Sequence, residues 1–475
     1  MWLATGCYAL VYLLLGWNRY ATYHSGSDLG LFTQSIASAF SGFTNTTESG
    51  SHFTFHFSPI LYLCAPFLLA AHSPLALVAI AALAGALVAP PLFAVARKRM
   101  PDGLAFGVAS VALLYPPLAG VTFADFHENV FAPAATLWLL WAVDAGRYRS
   151  ATFFLALVLA IKEDQATIVG FDALLAVGYF VWRRDRGGAI FSAAAVAASS
   201  LVFVLFFEVV RPLAGARDVW GPTHFYTWSR IVDPRGSAAW YSIGRPAYFL
   251  EALLPLSFAC LGSPAFLLAL PGFAEVLASH ESIVYTMGQH YAAVWIGYVL
   301  FAFALAVGTT YARAPRTARS LVRTSLVLCV LVLVLASPTH WGHYLRARNA
   351  HDALLDRVVA RVPADAEVGT IEELYAHLGF DPRAELGLAR APRYALLDTA
   401  LAHSVQEELW APVVRRGLAR GTYRVLWRDG SVTYYARGGG AAASRAEPLS
   451  DGRRSDTPRA RSRGRIVIAR RGRNE

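Results

Sequence analysis

Four short clusters hold the residues able to do chemistry. Ser27-Asp28-Leu29-Gly30-Leu31-Phe32 sets one carboxylate in an otherwise apolar stretch, and His52 and His56 stand four apart in His-Phe-Thr-Phe-His-Phe-Ser-Pro. Asp125-Phe126-His127-Glu128 places three potential ligands in four residues, and Lys162-Glu163-Asp164 interrupts apolar sequence on both sides. Ionisable groups near membrane depth are costly and mark function by default. Carboxylates with imidazoles suit a divalent cation, so Asp28, Asp125, His127 and Glu128 are the set to assemble around one. Lys162 beside two acids offers a phosphate a point charge. Each cluster also has a plainer reading: Asp28 as a helix N-cap, His52 and His56 as interfacial belt residues, 125–128 as a solvated loop, and Lys162 with its acids as a self-neutralising pair.

The elements that must position these clusters are membrane helices. Of 475 residues, 56% are hydrophobic and only 16% charged, against roughly 45–50% and about 25% in soluble chains. A soluble multidomain enzyme is excluded. Apolar blocks cover 1–17, 57–71, 74–96, 103–121, 129–144, 150–182, 189–209, 246–261, 264–279, 291–309 and 320–337. Crossing the hydrocarbon takes about 20 residues, and Arg-rich short loops stay cytoplasmic. The basic loops at 97–99, 147–149, 183–186 and 313–319 fall on one side only if 57–71 does not cross and 150–182 crosses twice. The expectation is about eleven transmembrane helices in a multi-pass protein of the cell membrane. Its amino terminus lies inside, its first block is a retained span rather than a cleaved signal, and its carboxy terminus lies outside.

Three outer segments follow: loops 18–56 and 210–245, and everything after 337. All thirteen histidines then fall on the outer side or, for His72, at the end of the non-crossing hairpin. Residues 338–437 read as a small extracytoplasmic α/β domain, with strands at 367–371 and 393–397, helices at 372–378 and 404–418, and a hairpin over 423–435 broken by Asp429-Gly430. Residues 1–337 form the transmembrane domain, and 438–475 an Arg-rich tail too poor in hydrophobes to fold. The net charge of +10 would suggest nucleic acid, but the tail alone holds a surplus of six positive charges. With that tail outside the cell no nucleic-acid partner is expected; the bilayer is the first partner.

The order of boxes resembles a family of bacterial and archaeal multispanning proteins of unknown function. Its pattern is Asp-Leu-Gly-hydrophobic-Phe, His-Phe-Ser-Pro, acid-Phe-His-x-Glu and Lys-Glu-Asp, matched here by Asp28 to Phe32, His56 to Pro59, Asp125 to Glu128 and Lys162 to Asp164. The third box is one residue tighter here, and Ser27 and Thr33 stand where the family usually has Tyr and Asp. A late His-Tyr pair matches His290-Tyr291, and Pro363 to Ala366 and Leu396 to Asp398 match the outer domain. More distantly the layout is similar to the C-type glycosyltransferase superfamily, whose members have an acid in the first outer loop, a juxtamembrane segment that does not cross and a second acid in the next outer loop. That resemblance implies an all-α polytopic, C-type glycosyltransferase-like fold and transfer of a sugar from a polyprenyl-phosphate donor at the outer face. Asp28 and Asp125 would be catalytic, His56, Lys162, Glu163, Asp164 and His290 would bind substrate, and Asp28, Asp125, His127 and Glu128 would hold the divalent metal if one is used. Two other classes stay open: a transporter or lipid flippase, which would need internal repeats and polar residues on both sides, and a noncatalytic membrane protein whose outer domain binds a partner.

Overall fold

Apolar runs with few charges can satisfy their backbone only internally, so in lipid they coil into helices. The computed structural model of the chain describes residues 1–216, 238–279, 281–388, 390–401 and 405–438. Part of the 210–245 loop and all but the first residue of the Arg-rich tail lie outside the described residues. The chain is a mostly helical multispanning membrane protein with a small mixed sheet at its carboxy-terminal end.

Among the described residues, five helices are long and apolar enough to cross a membrane: Leu75–Arg97, Glu163–Trp182, Arg186–Leu213, His290–Arg313 and Pro315–Leu335. Asp102–Leu113 and Pro116–Phe123 make a sixth if taken as one span bent by 48°; the break falls where Pro116, which lacks an N–H, cannot continue the first helix. "About eleven" therefore counts apolar blocks, and several of these are shorter or irregular. The expectation of regular helices over 246–261 and 264–279 is corrected: after Ala238–Leu253 the chain runs through 3-10 turns at Leu254–Leu256, Ala259–Gly262 and Pro264–Ala269 before helix Leu270–Ala278. Pro255, Pro264 and Pro271 break the regular bonding, and Ser257 and Phe258 take positive φ. Irregular backbone at such a place is tolerated where protein covers it: the Ala259–Gly262 and Pro264–Ala269 turns pack on the His290–Arg313 helix, and Leu254–Leu256 packs on Pro315–Leu335.

Segment 57–71 is a 3-10 turn, Pro59–Leu63, and a seven-residue helix, Ala65–Ala71, far shorter than the ~30 Å hydrocarbon thickness. It is tied to the gap after helix Tyr148–Leu159 by the Ile60 N–H, which donates to the Ala160 carbonyl at 2.8 Å. The 150–182 block does break at Lys162, with Glu163 opening the next helix.

The spans carry different chemistry at their two ends. Glu163–Trp182 starts in the Lys-Glu-Asp box and ends at the 183–186 basic loop, and His290–Arg313 starts at the His-Tyr pair and ends at Arg313. The basic end is knitted by Lys98 and Arg99 to Asp144 and by the Tyr148 hydroxyl to Asp185.

At the other end helix Ser27–Ala37 follows the first helix, Trp2–Ala21, and leads into a short hairpin of two-residue strands, β1 (Thr44–Asn45) and β2 (Gly50–Ser51). The carboxy-terminal sheet comprises β3 (Val368–Thr370), β4 (Glu385–Leu386), β5 (Tyr394–Asp398), β6 (Tyr423–Asp429) and β7 (Val432–Arg437), in the order β4-β3-β5-β7-β6. β3 pairs parallel with β4 and β5, and β7 pairs antiparallel with β5 and β6. The expected strands, the 404–418 helix (Val405–Ala419) and the Asp429-Gly430 hairpin are present; the short β4 and helix Ala350–Val359 carried too little pattern to be expected. Glycine binds the sheet domain to the Asp28 helix: a Cβ on Gly30 would lie 2.5 Å from the Tyr375 ring and 2.9 Å from its carbonyl oxygen. One turn on, the Gln34 amide donates to the carbonyls of Asp381 and Ala384 and accepts from the Tyr375 hydroxyl.

Candidate functional site

Asp28 stands in the first turn of helix Ser27–Ala37, where exposed N–H groups favour a negative charge. It opens onto a cavity of about 280 Å³ lined also by Phe32, Glu48, His52, His56, His127, Gln289, His290 and Tyr291. Four segments remote in sequence thus meet in one place.

Each imidazole is fixed by a neighbour. His56 Nδ1 lies 2.9 Å from Glu163 Oε1, while Glu163 Oε2 accepts the Phe57 N–H at 2.8 Å. Glu163 therefore orients His56 and sets the His-Phe-Ser-Pro turn against the start of a span. His127 stacks on His290 with ring centroids 3.6 Å apart. The edge of Phe32 meets both His52 and His127, at 5.5 and 5.1 Å. Burial, reinforced by His290, Lys162, His56 and His52, holds the His127 imidazole well below its usual pKa, so it is neutral. Burial likewise raises Asp28, with Asp125, Glu128 and Glu372 adding to the rise and Arg19 opposing it, and its carboxyl is pushed up to about 7. A carboxyl so placed exchanges a proton near neutrality, as an acid–base group must.

Asp125 sits beside the cavity rather than on its wall. Its Oδ2 accepts from Arg19 Nη2 at 3.1 Å and from the Gly26 N–H at 2.6 Å. Arg19 is 8% exposed and also donates to the carbonyls of His24 and Phe123. Asp125 thereby clamps the end of the first helix to the turn that delivers Asp28. Glu128 is fully buried, and neither carboxylate oxygen has a hydrogen-bond partner among the described residues; His127 Nδ1 is 3.1 Å away but accepts the Asn129 N–H. Lys162 lies 3.8 Å from Asp164 and interacts electrostatically with Glu128. The expected cation set of Asp28, Asp125, His127 and Glu128 does not close into a cage, because Asp125 is taken by Arg19 and the Gly26 amide. Among the described residues no group of three or more His, Cys, Asp or Glu side chains is placed to hold a metal ion.

The sequence reading named Asp28, His56, His127 and His290 among the lining residues and Glu163 just behind them. His52 belongs to the same candidate cluster as His56 but is given no role in the sequence, and Glu48 and Arg19 are not among the candidates. The signal for the first pair was present: Glu48 and His52 are four residues apart and bonded through Nδ1 at 3.0 Å.

Fold and site together define a multispanning membrane protein with a polar, histidine-lined cavity at the end remote from its basic loops. Residues 19–403 match the family described as "Predicted membrane protein (DUF2079)", and the chain belongs to that family. No curated protein matches the sequence. Among solved structures the chain is similar to ArnT from Cupriavidus metallidurans bound to undecaprenyl phosphate, at 12% identity and TM-score 0.53, covering 90% of this chain and 97% of that one. The apo state of the same protein matches at 13% identity and TM-score 0.56 with the same coverage. The oligosaccharyltransferase AglB from Archaeoglobus fulgidus, in complex with an inhibitory peptide and a dolichol-phosphate, matches at 13% identity and TM-score 0.42, over 94% of this chain and 75% of that one. The ArnT likenesses define the fold: that of a helical multispanning protein of the ArnT type.

Proposed function

We propose that the protein transfers a sugar from a polyprenyl-phosphate donor to a hydroxyl acceptor at the extracytoplasmic face of the cell membrane. The observation that carries this reading is the meeting of Asp28, His56, His127 and His290 in one cavity of a chain with the fold of a protein solved with undecaprenyl phosphate. The positive-inside rule puts the basic loops in the cytoplasm and the cavity outside. Asp28 meets the acceptor hydroxyl, as base or as orienting group. His56 and His290 contact the donor, and Lys162, with Glu163 and Asp164 setting its surroundings, offsets charge developing on the leaving phosphate. The transmembrane domain of residues 1–337 binds the lipid, while the 338–437 domain, fastened to the Asp28 helix through Gly30 and Gln34, selects the acceptor.

The test uses the full chain in nanodiscs with radiolabelled undecaprenyl-phosphate-glucose and -mannose. Wild type is expected to release or transfer label, and Asp28→Asn to lose about 100-fold or more of that rate while still binding undecaprenyl phosphate. Full activity in D28N, or lipid flux across proteoliposomes with no covalent product, overturns the reading.

A further inference from the structure

We propose that His52 is the proton acceptor of this cavity and that Glu48 is the residue that positions it. The inference rests on the transfer reading above and divides its acid–base work: His52 takes the acceptor's proton, and Asp28 orients the hydroxyl.

The geometry is that of a built pair. Glu48 lies in the β1–β2 turn, where its N–H donates to Asn45 Oδ1 at 2.7 Å and its Oε2 accepts from Asn45 Nδ2 at 2.5 Å. The same Asn45 amide donates to Ser35 Oγ at 2.9 Å, which anchors the turn to the Asp28 helix. The carboxylate is thus fixed before it meets the imidazole. His52 Nδ1 lies 3.0 Å from both oxygens of Glu48, so the proton of the neutral ring belongs on Nδ1 and the lone pair on Nε2. His52 is 1% exposed, and Nε2 has no hydrogen-bond partner among the described residues. Leaving such an atom unpartnered costs about 1–3 kcal/mol, and His52 lines the cavity wall. Hairpin folding alone would not require an imidazole here, since Asn45 already holds Glu48.

The charged and titratable groups around the ring are Glu48 from its own turn, His56 with its ring 5.7 Å away, Asp28 and His127 on the walls of the same cavity, and Glu128 and Glu163 behind them. Burial lowers the affinity of His52 for a proton, but the hydrogen bond and charge of Glu48, helped by Glu128 and Glu163, more than offset this and hold it above the usual histidine range.

In the step proposed, the acceptor O–H proton moves to Nε2 as the oxygen bonds to the anomeric carbon. The bond from that carbon to the lipid phosphate oxygen breaks, and its electron pair stays on the phosphate. Glu48 stabilises the imidazolium, which returns the proton to water after the product leaves.

The experiment compares wild type, His52→Gln and Glu48→Gln in nanodiscs with radiolabelled undecaprenyl-phosphate-glucose and -mannose, following label release to water across pH. H52Q is expected to lose about 100-fold or more of kcat with KM within about threefold. E48Q is expected to lose about tenfold and to move the acid limb of the kcat profile to lower pH, because removing the carboxylate makes the imidazolium more acidic. A merely structural role for Glu48 would not move that limb. H52Q with more than a third of wild-type kcat, or an unmoved limb in E48Q, overturns the proposal. Nitrogen NMR on selectively labelled histidine supplies an arm independent of turnover: wild-type His52 protonated on Nδ1, and loss of that tautomer preference in E48Q, support the pair, whereas a neutral ring protonated on Nε2 in wild type overturns it. Absence of turnover by wild type with both donors counts against the transfer reading, and the tautomer then decides the pair separately.

Discussion

Replacing Asp125 with Asn separates a clamp from a catalyst. In the structure Asp125 Oδ2 accepts two hydrogen bonds, from Arg19 at 3.1 Å and from the Gly26 N–H at 2.6 Å, beside a guanidinium that is 8% exposed. Asn keeps the shape and one acceptor but removes the charge, leaving Arg19 buried without its counter-ion. Breaking a buried pair by removing one partner costs about 3–5 kcal/mol, and since Arg19 keeps its bonds to the His24 and Phe123 carbonyls, about 3 kcal/mol is expected for D125N. Arg19→Met also loses those bonds, so it destabilises on its own. The double variant R19M/D125N nevertheless carries no unpaired charge and is expected to be more stable than the sum of the singles by about 2 kcal/mol. SDS titration of the full chain in mixed micelles measures all four proteins. Strictly additive costs, or a D125N protein as stable as wild type yet inactive, would refute the clamp and move Asp125 to the reacting atoms.

Further outcomes follow from the same geometry. Asp28 binds its proton more tightly folded, with a pKa of about 7, than unfolded, so its contribution to stability is complete below about pH 4 and is lost as pH rises through 7. Asp28→Asn should therefore raise the melting temperature at pH 8 and change it little at pH 4; a destabilised D28N at pH 8 would refute this. Gly30→Val drives a side chain into Tyr375 and should loosen the sheet domain from its helix, read as faster proteolysis after residue 337, with an unchanged cleavage pattern as the contrary result. Gly288→Ala should prevent folding, since Gly288 has φ +102 and a Cβ there would lie 2.1 Å from the Pro338 carbonyl oxygen; normal yield and monodispersity in detergent would contradict it.

Part of the cavity lining is legible in sequence because these residues sit in polar interruptions of apolar sequence. Asp28, His56, His127 and His290 do meet, and the loop-charge argument that kept 57–71 from crossing agrees with its short, broken helices. What was hidden depended on partners rather than on types. Asp125 looked like a ligand because its counter-ion, Arg19, lay at the edge of the first apolar block, 106 residues away. The spacing of Glu48 and His52 is visible in the sequence, but the β1–β2 turn that folds one onto the other is not. Hydropathy also could not distinguish a regular helix from the Pro-punctuated 3-10 path at 254–269, since both are equally apolar.

The central claim is that the Asp28 cavity receives the phosphate of a lipid-linked donor. Electron cryomicroscopy of the full chain in nanodiscs with undecaprenyl phosphate tests it most directly. Phosphate density is expected within hydrogen-bond reach of His56 or His290, with the prenyl tail running out toward the bilayer. Lipid bound elsewhere, with the Asp28 cavity empty at saturating undecaprenyl phosphate, would contradict it.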